Sequence, residues 1–366
     1  MRTMRHDVRL LRMIGTGIGR RTLLRMIGRG MAAPALLRGT LAKADPVADF
    51  YRGKSISLYV SFPPGGGYDI YARVMAPHFS RHIPGNPAIV VKNMAGATGL
   101  TMINYLAHAA AKDGTVIGLA ENNIAYEPLL GTATGANVRF DTSTLQWIGS
   151  PVQEVFVTFV WATTPFRSVA DLKASESLMS AISADGENVT LPTLMNKMIG
   201  TKMKPIPGYP GQAGAFVAVE RGEVHGNTTG FTNLAGTKAD WLRDGKIRIL
   251  IQYALEPSKR LPKVPLALDL VSAPEDKAVL RFLFTKYKMA RPLLAPPEIP
   301  PERLAILRKG FADTMQDADF RADAAKAGLD INPVSGEEIA KLVAGLNATP
   351  AAVVARTRML LGQPAR

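Results

Sequence analysis

No cysteine occurs in the 366 residues. Disulfides, thiolate zinc sites and cysteine nucleophiles are thereby excluded, whatever compartment the chain occupies. Outside the first 44 residues there is no run approaching the roughly 18 uninterrupted apolar residues that cross a bilayer, so the mature chain is expected to be soluble. Acids are fewer than bases, 30 Asp and Glu against 44 Lys and Arg, for a formal net charge of +14. That excess suggests nucleic acid only until it is divided along the chain. Residues 1–44 carry Arg2, Arg5, Arg9, Arg12, Arg20, Arg21, Arg25, Arg29, Arg38 and Lys43 against the single acid Asp7. The rest is mildly basic without any five-residue basic run, and no nucleic-acid partner is expected.

What is present is globular: 47% hydrophobic and 20% charged residues, enough chain for two medium domains. The leader has its own pattern. Arg20-Arg21 precedes an apolar run from Met26 to Leu41 that ends in Ala42-Lys43-Ala44, a small-x-small cleavage pattern. It resembles a twin-arginine export signal, with cleavage after Ala44 and a periplasmic mature protein starting at Asp45.

The stretch that organises the remainder is Leu58 to Arg73. Leu58 to Phe62 is short and apolar and predicts a buried strand. Pro63-Pro64 ends it, Gly65-Gly66-Gly67 permits close approach of another molecule to bare backbone, and a helical pattern starts near Asp69. Helix N-termini expose unpaired N–H groups that attract carboxylate or phosphate. The loop lacks the Lys-Ser/Thr of a P-loop and the spacing of a dinucleotide fingerprint. Ile70 to His82 predicts a helix that Pro77 makes doubtful or kinks. Ala88 to Val91 and Thr115 to Ala120 predict strands, with a helix from Leu100 to Ala111 between them. This alternation predicts a parallel α/β sheet.

The catalytic alternatives are poor. No Gly-x-Ser-x-Gly elbow or His-Glu-x-x-His motif is present. His78 and His82 stand four apart, a spacing that metal pairs use, but the flanking Pro77 and Pro84 predict surface histidines. No catalytic residue, metal or cofactor is expected.

Several segments together resemble one family. They are Tyr51 to Ile56, Ser61 to Asp69, Val91 to Gly99, Ala111 to Gly114, Gly208 to Ala213, Arg221 to Val224, Arg243 to Arg248 and Leu261 to Pro265. In order and spacing these are similar to the substrate-binding receptors of tripartite tricarboxylate transporters, the Bug receptors, from about Phe50 to about Val343. The resemblance implies a type II periplasmic-binding-protein fold, two α/β domains with a ligand cleft between them. It places domain 1 at residues 45–150 and 251–345 and domain 2 at 151–250. The return crossing is expected near Leu250 to Tyr253, with another at Lys286 to Ala295, and a frayed tail over 346–366. The implied function is capture of a small organic acid by a monomeric receptor for membrane permease subunits. A sensor or orphan receptor of the same fold for an amino-bearing or neutral solute is the alternative, and an enzyme is less expected.

The candidate ligand-binding residues are Pro64, Gly65, Gly66, Gly67, Tyr68 and Asp69, then Asn122, Asn123, Ser183, Asp185, Gly186, Asn188, Tyr209 and Phe231. The glycines would supply backbone N–H groups. Tyr68 would stack on a flat ligand or narrow the pocket. Asp69, which would repel an acid, is expected to cap the following helix. Asn122 and Asn123 follow a strand at its carboxyl end, where open sheets bind ligands or simply turn. By family position Ser183 to Asn188 is a carboxylate loop, yet it carries Asp185 and Glu187. If either faced the cleft, an amino-bearing or neutral ligand would fit better than a diacid. If both are solvated, the N–H groups of Gly186 and Asn188 remain for an anion.

Overall fold

A computed structural model describes residues 46–131, 138–184 and 186–363. The leader and Asp185 therefore lie outside the described residues. The chain begins with α1 (Pro46–Tyr51), β1 (Ser55–Val60), α2 (Gly67–Arg81), β2 (Ala88–Asn93), α3 (Leu100–His108) and β3 (Val116–Leu119). A 3-10 turn over Asn122–Ala125 leads to α4 (Glu127–Leu130) and β4 (Gln146–Ser150). In β1 Ile56, Leu58 and Val60 are buried in alternation, as a strand covered on one face requires. It pairs in parallel with β2 and β3. The apolar stripe of α2, Tyr71, Ala72, Met75 and Phe79, is buried against this sheet. Pro77 does not end α2, contrary to the doubt its sequence position raises. It removes one N–H from the helix ladder, and the burial of Met75 and Phe79 on either side holds the turn.

The chain then builds a second sheet: β5 (Phe156–Trp161), α5 (Val169–Ala174), β6 (Ser177–Ser180), α6 (Glu187–Ile199), β7 (Met203–Ile206) and α7 (Gly211–Glu220). Next come β8 (Gly226–Gly230), α8 (Phe231–Thr237), α9 (Ala239–Arg243) and β9 (Ile247–Tyr253). Its order is β7-β6-β8-β5-β9, with β5 antiparallel to both neighbours. Phe159, Phe216 and Trp241 meet with ring centroids 5.5 to 6.2 Å apart, a geometry that adds aromatic attraction to the area they bury.

The last segment returns through α10 (Ala267–Leu270) and α11 (Pro274–Lys288) to β10 (Leu293–Ala295), then α12 (Pro301–Gln316), α13 (Ala318–Lys326), β11 (Val334–Ser335), α14 (Gly336–Asn347) and α15 (Ala351–Leu360). The first sheet is completed as β11-β4-β10-β3-β1-β2, with β10 antiparallel to β3 and β4. Two sequence expectations change here. Residues 250–253 stay in the second sheet, because β9 pairs with β5 through Tyr253. The segment expected to fray forms α15 instead, pinned by Arg356 to the buried Asp276 at 2.5 Å. Among the described residues no single helix is long and apolar enough to cross a membrane.

Candidate functional site

The glycine loop lies where the sequence puts it, between β1 and α2, with Pro64, Gly65, Gly66 and Gly67 exposed. Gly65 has φ +84°, which favours glycine. Asp69 is buried three residues into this stretch of helix, and its carboxylate is fully engaged. Oδ2 accepts from the Gly65 N–H and Arg73 Nε, each at 2.9 Å, and Oδ1 accepts from Asn93 Nδ2 at 2.9 Å. Arg73, followed by the Gly65 N–H and Asn93, holds the Asp69 carboxyl down at about 2. The residue does not bond the first helical amides, and the N-cap position belongs to Gly66, so the expectation of a simple cap is corrected. Asp69 instead shapes the loop from below and takes one of its N–H groups out of play. The N–H groups opening α2 are the ones that helix geometry leaves over.

Arg291, just after α11, meets this loop and was not found from the sequence. Its guanidinium carbon is 4.4 Å from the Tyr71 ring centre and 5.1 Å from that of Tyr68. Its Nη2 would stand 3.3 Å from a β-carbon on Gly67. Its Nε is buried with no hydrogen-bond partner. The charge facing it is Glu154, which accepts from the N–H of Val155 at 3.0 Å and of Thr232 at 3.3 Å. Burial pushes the Glu154 carboxyl above its ordinary value. Phe231 opens α8 beside this acid, but it is 7% exposed and the Arg260 guanidinium lies 4.6 Å over its ring.

Tyr68 joins this corner to a second one. Its ring packs 4.5 Å from Phe62, and its hydroxyl donates to Ala290 O at 3.0 Å. Burial holds that hydroxyl well above its ordinary pKa, with the nearby Glu121 charge adding and Arg291 opposing. Glu121 itself accepts from the Asn123 N–H at 2.6 Å and so caps the 3-10 turn. Its burial, reinforced by Glu127 and Glu187 and opposed by Lys286, pushes its pKa up to about 7.

Asn123, Gly186 and Glu187 line one cavity of about 590 Å³ together with Lys286 and Tyr287. The glycine loop does not line it. Lys286 Nζ donates to Asn123 Oδ1 at 3.2 Å and pairs with Glu187 Oε1 at 2.5 Å, while the Tyr287 hydroxyl donates to Glu187 Oε2 at 2.7 Å. Glu187 is therefore a cross-linked residue of the cavity wall, not a solvated loop acid. Asn188 is 6% exposed and its Oδ1 has no partner. Asn122 is half-buried, Ser183 is exposed, and Tyr209 donates its N–H to Ala181 O at 3.3 Å. His78, expected at the surface, is 6% exposed: Nε2 meets Asp323 Oδ2 at 3.2 Å and Nδ1 meets Arg81 at 2.7 Å.

The candidate binding features are thus the loop that opens α2, with Arg291 beside it, and the cavity walled by α6 and α11. Residues 71–358 match the tripartite tricarboxylate transporter family receptor, and the chain belongs to that family. It is 29% identical to Protein BugT of Bordetella pertussis over 243 residues, 63% of this chain and 70% of that protein. The crystal structure of a TctC solute binding protein from Polaromonas superposes with a TM-score of 0.65 at 18% identity, over 85% of this chain and 99% of that one. A Rhodopseudomonas palustris protein solved with adipate superposes with a TM-score of 0.56 at 18% identity, over 85% and 98% of the two chains.

Proposed function

We propose that the protein captures a small organic acid and seats its carboxylate against the N-terminus of α2, with Arg291 as the counter-charge. The observation that carries this reading is the Arg291 guanidinium, held by the faces of Tyr68 and Tyr71 at the position of Gly67, with Nε buried and unpartnered. A buried guanidinium N–H without an acceptor costs free energy that a ligand oxygen would recover. The backbone N–H groups of Gly66 and Gly67 add donors and the helix dipole adds attraction. The adipate bound by the Rhodopseudomonas palustris relative supports the same ligand chemistry.

In this reading the two sheets are the cores of two domains that close on the ligand, the motion that delivers it to permease subunits. The leader exports the chain to the periplasm with cleavage after Ala44, the receptor acts as a monomer, and it performs no catalysis. Thermal unfolding with carboxylic acids and with their uncharged amides is the test. An acid at ~100 times its dissociation constant raises stability by about 2.7 kcal/mol, and its amide should not. Equal shifts for acid and amide would remove the carboxylate from the account.

A further inference from the structure

Glu154 stands on the segment that leaves β4 for β5, and Arg291 on the segment that leaves α11 for β10. The two segments are tied side by side. The Arg291 N–H donates to Ser150 Oγ at 3.2 Å, and the Glu154 N–H donates to Tyr287 O at 2.8 Å. Each charge stands against a glycine of a different strand-to-helix turn, Arg291 against Gly67 and Glu154 against Gly230. A β-carbon on Gly230 would lie 3.0 Å from Cδ of Glu154 and 3.1 Å from its Oε2. Gly230 has φ −62° and ψ 132°, backbone that any residue adopts, so the room taken by the carboxylate is what keeps that position bare.

The two charges sense each other. Burial raises the Glu154 carboxyl, and its backbone N–H bonds and the Arg291 charge oppose that. The Tyr71 hydroxyl, raised by burial, is pulled down by Arg291 and up by Glu154. Yet among the described residues no ion pair joins them, and each has bonding capacity left. Arg291 Nε is buried without a partner. Glu154 takes the N–H groups of Val155 and Thr232 on Oε1, and although the Thr232 hydroxyl also reaches the carboxylate, lone pairs remain on Oε2. A cation and an anion held near each other but unpaired, both half-buried, are satisfied together by a ligand that carries the two opposite charges. A plain acid would satisfy Arg291 alone and bring its own anion towards Glu154.

We infer that Glu154 receives a ligand ammonium while Arg291 receives the carboxylate of the same molecule, so that the solute is a zwitterionic amino acid. The inference rests on the proposed carboxylate site at Arg291 and adds the second charge to it. Glu154 is thereby a specificity residue, which leaves an amine-free acid beside an unpaired anion.

The test is titration calorimetry of the full chain with matched pairs: alanine and propionate, aspartate and succinate, phenylalanine and hydrocinnamate, γ-aminobutyrate and butyrate. At least one amino acid should bind about tenfold or more tightly than its amine-free partner. Glu154→Gln keeps an oxygen for the N–H groups of Val155 and Thr232 and removes the charge. With native circular dichroism, it should weaken that amino acid about tenfold or more and leave the amine-free acid no weaker, so that the ratio falls toward one. An amine-free acid bound as tightly as its amino acid by the native protein overturns the inference while leaving the carboxylate site standing, and this comparison decides alone if the variant does not fold. An unchanged ratio in the folded variant, with both affinities kept or both lowered alike, overturns it too. No binding of any compound in the set overturns both.

Discussion

A β-carbon on Gly67 would lie 3.3 Å from Nη2 of Arg291, whereas one on Gly66 would meet nothing nearer than Pro63 O at 4.0 Å. Adjacent glycines thus have different work. Gly67 makes room for the cation, and Gly66 leaves the approach to the helix amides open. Gly66 has φ −83° and ψ 169°, extended backbone that a β-branched residue adopts readily. Gly66→Val should therefore melt within a few degrees of the native protein yet bind its acid about tenfold or more weakly, because the branched side chain stands over the donors. Calorimetry and thermal unfolding on the same sample check both halves.

Asp69 organises the loop from inside. Asp69→Ala leaves the Gly65 N–H, Arg73 and Asn93 without their shared acceptor. The expected loss is about 2–4 kcal/mol in denaturant unfolding, the range for breaking a buried charged network. The folded carboxyl titrates at about 2 against an ordinary 3.8. Its stabilisation is thus fully present above pH ~4 and lost as pH falls toward 2, and Asp69→Asn should flatten that acid limb.

Glu121 has the opposite sign. Burial raises its folded pKa to about 7 from 4.5. Below the unfolded value both states hold the proton and Glu121 has no effect on the pH dependence. As pH rises from about 4.5 to 7 the unfolded chain ionises first, so stability falls. Glu121→Gln should then be more stable than the native protein at pH 8 by up to about 3 kcal/mol, with the difference shrinking toward pH 4.5. Urea unfolding across that range reads the effect directly.

The legible parts of the fold are those that local chemistry decides. Pro63, Pro64 and the three glycines mark the end of β1 and the start of α2, because φ restriction and missing N–H groups act within a few residues. Arg291 is not legible in that way. It reaches Tyr68 only because the chain returns some 222 residues later, as the Tyr68 hydroxyl bond to Ala290 O records. Glu187 could be read as an acid on a family-type loop, but its fate depends on Lys286 and Tyr287, which no spacing connects to it. α15 escaped for the same reason: Arg356 finds Asp276 80 residues away, and a tail that reads as ragged becomes a packed helix. Pro77 shows the reverse error, where a strong local breaker is outweighed by burial of the helix face around it.

The central claim is that Arg291 is the counter-charge for the ligand carboxylate, and Arg291→Met tests it most directly. Methionine keeps an unbranched apolar stem between Tyr68 and Tyr71 and removes every donor. Titration of an acid that binds the native protein should show affinity falling by roughly a hundredfold, the scale of one lost charge-assisted contact, with the thermal midpoint in the absence of ligand little changed. An affinity that stays within a factor of about three would contradict the account and move the carboxylate site away from the N-terminus of α2.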